Sequence, residues 1–143
     1  MKKIYSLCLI AIMALFSVGC EEETVDAIYS ITSEVGSSSF IGSSDLEKVN
    51  DEILAKIVAF EKQYTKEWKV TIKDGEYSDA DKDAVSQFSA VKSAFSSVEA
   101  ECNELVKSAE GLSGSFTLKG SFSVKRISSE NKQLDSFAYE FIK

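Results

Sequence analysis

Residues 68–109 read WKVTIKDGEYSDADKDAVSQFSAVKSAFSSVEAECNELVKSA, and within them the apolar period changes from two to between three and four. Trp68, Val70 and Ile72 alternate with Lys69, Thr71 and Lys73, the pattern of a strand with one buried face. Asp74-Gly75 ends it in a turn. From Ser78 the apolar positions are Ala84, Phe88, Val91, Phe95, Val98, Cys102, Leu105 and Ala109. That stripe predicts a helix reaching Gly111, a natural C-terminal stop. Some 30 residues of helix would run about 45 Å.

Working outward, Ser44-Asp45-Leu46-Glu47 has capping-box spacing, a hydroxyl followed three residues on by Glu. The helix it opens is expected to run to Tyr64, with Leu46, Val49, Ile53, Ile57, Phe60 and Tyr64 as its apolar stripe. Glu52 and Lys56 stand one turn apart, placed to pair on the solvent side. Gly36 to Ser44 is rich in Gly and Ser and reads as a loop, and Ala27 to Val35 as a strand around Ile28 and Ile31. At the other end Phe116, Leu118, Phe122 and Val124 share one parity, with Gly120 in register. Ser115, Thr117, Lys119, Ser121, Ser123 and Lys125 share the other. Ser128 to Gln133 is a polar turn, after which Phe137, Tyr139 and Phe141 resume the alternation. The expected order is β-α-β-α-β-β. It implies an α+β two-layer sandwich, with two long amphipathic helices on one face of a four-stranded sheet.

The first residues carry a different message. Met1-Lys2-Lys3 is a short positive segment, Ile4 to Phe16 is almost wholly apolar, and Ser17-Val18-Gly19 puts small residues before Cys20. The apolar run is too short to cross a hydrocarbon core of about 30 Å. Phe16-Ser17-Val18-Gly19-Cys20 resembles a lipobox, with Ser17 where leucine is commonest. Glu21, Glu22 and Glu23 look like the surface-export signal of Bacteroidota-type lipoproteins. The resemblance covers residues 1 to about 26. It implies a signal peptide over 1–19 that is removed, an acyl-carrying Cys20, and an address on the outer membrane facing outwards. The alternative is a plain secretory leader with Cys20 an ordinary residue. Residues 20–26 then form an acidic tether and 27–143 a single domain; six extended residues reach about 20 Å.

Composition narrows the chemistry. The chain has 143 residues, 44% of them apolar, and no Pro, as suits one globular domain. Its formal charge of −7 becomes −9 once Lys2 and Lys3 leave with the leader, which disfavours phosphate backbones and so nucleic acid. Of three cysteines, Cys8 leaves with the leader and Cys20 takes lipid, so Cys102 is left on the helix stripe as a small buried hydrophobe. There is no His, which removes the commonest general base and zinc ligand. Any acid–base enzyme would run on carboxylates or lysine. Asp79-Ala80-Asp81-Lys82-Asp83 copies the start of a calcium loop, but Ala84 and Ala90 stand where Gly and Glu are required. Acidic residues at a helix N-terminus explain it better. No cofactor or metal site is expected.

Two binding candidates remain. One is the polar parity of the hairpin, Ser115, Thr117, Lys119, Ser121, Ser123 and Lys125, a flat face able to receive a protein or a glycan. The other is a sheet edge at the C-terminal hairpin, where strands recruit extended partners; Lys119, Lys125 and Lys143 would serve equally as guards of such an edge. Trp68 and Tyr77 can stack on sugars, but Trp68 has the parity of the core. The resulting expectation is a non-enzymatic, surface-tethered binding or structural module, with the membrane as partner through its lipid. A small carboxylate-dependent hydrolase and a scaffold self-assembling through the long second helix are the alternatives.

Overall fold

The computed structural model describes residues 22–143. The expected signal peptide over 1–19, Cys20 and Glu21 lie outside them. Six elements follow in order: β1 (Thr24–Gly42), α1 (Ser44–Tyr64), β2 (Lys66–Lys73), α2 (Ser78–Ser108), β3 (Gly114–Arg126) and β4 (Lys132–Ile142). The four strands form one sheet in the order β2-β1-β3-β4, antiparallel at every junction. Both helices pack on one of its faces, so the protein is the α+β two-layer sandwich that the periodicities imply.

The core lies where the helices cross β3. Phe95 of α2 meets Phe122 of β3 at 5.6 Å and Phe137 of β4 at 5.2 Å between ring centroids. Phe60 of α1 closes the cluster edge-on, 5.1 Å from Phe95 and 5.4 Å from Phe122. Such pairs add about 0.5–1.5 kcal/mol each beyond the area they bury. Gly120 faces Tyr139 in register, and a Cβ on it would overlap the phenol and crowd Glu34 O. The missing side chain makes room for the ring.

Several local expectations are corrected. Gly36–Ser44 is not a loop: β1 continues to Gly42, because main-chain pairing with β3 from Ser38↔Leu118 to Gly42↔Gly114 outweighs the weak strand preference of Gly and Ser. The Gly/Ser composition shows instead as a bulge between Val35 and Ser38. The strand also starts at Thr24, within the expected tether, and Asp74 N donates to Glu23 O at 2.7 Å. The helix cap is Ser43, not Ser44: its hydroxyl accepts from Leu46 N at 3.4 Å, which removes Glu47 from the capping-box position. Lys56 pairs with Glu101 of α2 at 2.7 Å rather than with Glu52. Gly111 is not the stop for α2, which ends at Ser108 with Ala109 as its cap; the glycine with positive φ on this side of the helix is Gly114, at φ +117°. Trp68 is half-buried, stacked on Tyr29 at 5.6 Å with the Lys66 ammonium 5.0 Å from its centroid.

Candidate functional site

Strand pleating turns alternate side chains away from the helices, and nothing in the described residues covers that second face. The expected column Ser115, Thr117, Lys119, Ser121, Ser123 and Lys125 runs down it on β3. Since β3 is central, its neighbours complete rows that the column alone did not reveal. Thr32, Ser123 and Ser136 form one row, Glu34, Ser121 and Ala138 the next, and Ser39, Thr117 and Ile142 another. The Thr32 and Ser123 hydroxyls share a hydrogen bond of 3.2 Å. The alternation of Ser30 and Thr32 with Ile31 was the available signal for the β1 share.

The lysines are not free. Lys125 pairs with Glu34 at 3.3 Å, Lys119 pairs with Glu140, and Lys69 of β2 pairs with Asp26 at 2.6 Å. That contact, with a hydrogen bond from Thr71, holds the Asp26 carboxyl below its ordinary range. Ser123 departs from expectation: at 6% exposure it is buried, although it faces outward. Small side chains sink beneath longer neighbours, so the centre of the face is shallow and flat. Lys119 and Lys125 cannot guard an edge, since β3 is internal. Lys143 instead donates to Leu112 O and Gly114 O, at 2.5 and 3.0 Å, tying down the chain end. What the face offers is a sheet of hydroxyl donors and acceptors bordered by neutralised charge.

On the helix side, the chain's single arginine was overlooked in the sequence. Arg126 is 5% exposed and forks onto Asp81 with Nη1 at 3.1 and 3.0 Å from the two oxygens, while Tyr29 Oη donates to Asp81 Oδ1 at 2.9 Å. Tyr77 lies under the guanidinium at 3.9 Å. Asp81 is thus not one more solvated acid of the first turn; Asp79, paired with Lys82 at 3.1 Å, fits that description. The cluster joins β1, β3 and the start of α2, and every member is spoken for except Arg126 Nε, which is buried without a partner.

The surface between the helices holds a shallow groove of about 330 Å³ lined by Glu52, Lys56, Glu101, Glu104, Leu105 and Ser108. Its three carboxylates are exposed, and Lys56 already engages Glu101. The apolar stripe of α2 is covered from Ala84 to Cys102. Among the described residues, no group of three or more His, Cys, Asp or Glu is placed to hold a metal ion, and no helix is long and apolar enough to cross a membrane.

Cys102 is fully buried, and that burial pushes its thiol up to about 11. Burial likewise carries the Tyr29 and Tyr139 hydroxyls up to about 12. The native state favours the neutral form of all three groups. Their contribution is therefore fully present below about pH 9 and is lost as pH rises through 11 to 12. Native protein at pH 8 is expected to resist iodoacetamide, whereas urea-unfolded protein reacts. Alkylation of the native form at the unfolded rate would contradict this packing.

Compared with known proteins, the chain matches no protein-family model, no curated protein and no solved structure. Its class is set by the fold alone: an α+β domain with helices on one face of an antiparallel sheet and an uncovered hydroxyl-lined face on the other.

Proposed function

We propose that the chain is a non-enzymatic binding module of the bacterial envelope. In this reading it is anchored to the outer membrane through lipid on Cys20, and Glu21, Glu22 and Glu23 direct it outwards. It offers its uncovered sheet face to a protein or glycan. One observation carries the reading. A sheet with helices on one side only leaves a second face, and here β3 lays Ser115, Thr117, Ser121 and Ser123 along its flat middle, with Lys69, Lys119 and Lys125 around them each paired to a carboxylate. Ordinary solvent-facing strands have no need of such flatness; a partner does. Two or three acyl chains, at roughly 0.8 kcal/mol per buried methylene, supply the anchoring that one chain does not.

A carboxylate-dependent hydrolase draws support only from the groove around Glu52, Glu101 and Glu104. A general acid needs a carboxyl sheltered from water, and these three are exposed. Self-assembly through α2 would use a stripe that the sheet already covers. Binding is therefore the better-supported reading.

The test is capture from envelope extracts and on glycan arrays with the full chain. Thr117→Glu with Ser121→Glu adds two carboxylates beside Glu34 and Glu140. Capture is expected to vanish while the unfolding midpoint stays within a few degrees; undiminished capture would discard the face as the site. Cys20→Ser is expected to move the protein into the soluble fraction, and continued partition with membranes would remove the tether from the reading.

A further inference from the structure

The structure assigns a second docking site, separate from the hydroxyl face. The half of β1 beyond Ile31 is an open edge, built to be extended by a strand from another protein. β2 pairs with β1 only from Thr24↔Lys73 to Ile31↔Lys66, whereas β3 follows β1 to Gly42. In an antiparallel ladder the N–H and C=O of one residue point to the same side. Glu23 O accepts from Asp74 N beyond the end of β2, and Ile28 O accepts from Ile127 N beyond the end of β3. Odd-numbered main-chain groups of this half therefore face the β2 side, and those of Ser33 and Val35 lie past its end. After the bulge the parity flips. Phe116 exchanges both bonds with Lys143, so Thr117 and Ser115 face Ser39 and Ile41, and Ser38 and Phe40 face outward. Ser33, Val35, Ser38 and Phe40 thus present a main-chain ladder that only another extended backbone complements.

The three edges differ in charge. β2 carries Lys66, Glu67, Lys69 and Lys73, and β4 carries Lys132, Asp135 and Glu140, the charged residues that keep edges from pairing. The open half of β1 has one, Glu34, which is paired with Lys125 on the hydroxyl face; Val35 to Ser44 has none, and it exposes Val35 at 61% and Ile41 at 77%. Where the bulge opens the sheet, a groove of about 250 Å³ runs between this edge and α1, lined with Val35, Phe40, Leu54 and Leu118. Asn50 also lines it, and its Oδ1 is buried without a donor. Glu61, seven residues beyond Leu54 and eleven beyond Asn50 and so on the same line of α1, likewise has a buried Oε1 with no donor. α1 holds five acids against three lysines. The occupant these features fit is a non-acidic extended segment, with an apolar side chain for the groove and a donor side chain for Asn50. A second copy fits poorly, since it would bring the acidic flank of one α1 against the other.

Amide hydrogen exchange on the full chain tests the assignment. The probe is a short synthetic peptide alternating valine or leucine with threonine between terminal lysines. The control is the same peptide N-methylated on alternate residues. The plain peptide is expected to slow exchange at Ser33, Val35, Ser38 and Phe40 at least about tenfold, the methylated one to leave it unchanged, and Val35→Lys to abolish the protection. Exchange unaffected by the plain peptide, equal protection in Val35→Lys, or protection that grows with protein concentration alone would each overturn it. Val35 lies off the hydroxyl face and Thr117 off the open edge, so the two sites fail or stand separately.

Discussion

Arg126→Ala is expected to lower the unfolding free energy by about 3 kcal/mol, the largest effect of any single charged residue here. Removing one member of a buried pair costs about 3–5 kcal/mol, because the other charge stays buried without compensation. The lower end applies, since Asp81 keeps 17% exposure and recovers some water. The substitution also frees Tyr77 from its stacking partner and leaves the Tyr29 hydroxyl donating to an uncompensated carboxylate. Urea titration should show a lower midpoint with unchanged slope. The double variant Asp81→Leu with Arg126→Met, which replaces the pair by apolar volume, should fall within about 2 kcal/mol of the parent. If Arg126→Ala matched the parent, the pair would not be what joins α2 to the sheet.

Gly114→Ala is the second. At φ +117° an L side chain is strained, costing about 1–3 kcal/mol. A Cβ there would also overlap Ile41 O and Gly42 Cα, which are main chain and cannot rotate aside. Overpacking of that kind adds about 1–3 kcal/mol, so the expected loss is roughly 3–5 kcal/mol. Gly111→Ala is the control: nothing lies within 4 Å of its added methyl, and no left-handed φ is required. It should be neutral or stabilising by up to about 1 kcal/mol. Equal effects at the two glycines would mean that the β1 and β3 ends do not close as described. Such a loss would also be felt at the open edge, because Gly42↔Gly114 ends the ladder that holds the second half of β1 against β3.

These two sites mark the line between what could be read and what could not. The stripes of α1 and α2, the alternation of β3 and β4 and the helices-on-one-face architecture are all properties of residues two to four apart, and the sequence displays those directly. The column from Ser115 to Lys125 was legible for the same reason. Its burial at Ser123 and its ion partners Glu34 and Glu140 were not, because they come from strands far along the chain. Gly36–Ser44 looked like a loop because its composition is weak for any element; only β3 alongside makes it a strand. Asp81 and Arg126, 45 residues apart, carry no local sign of one another. Periodicity, and with it the element order and the buried parity of each strand, belonged to the sequence alone. Strand order, the unequal reach of β2 and β3 along β1, and every partner of a buried charge were decided by tertiary structure, since pairing energy depends on which distant segment supplies the complementary groups.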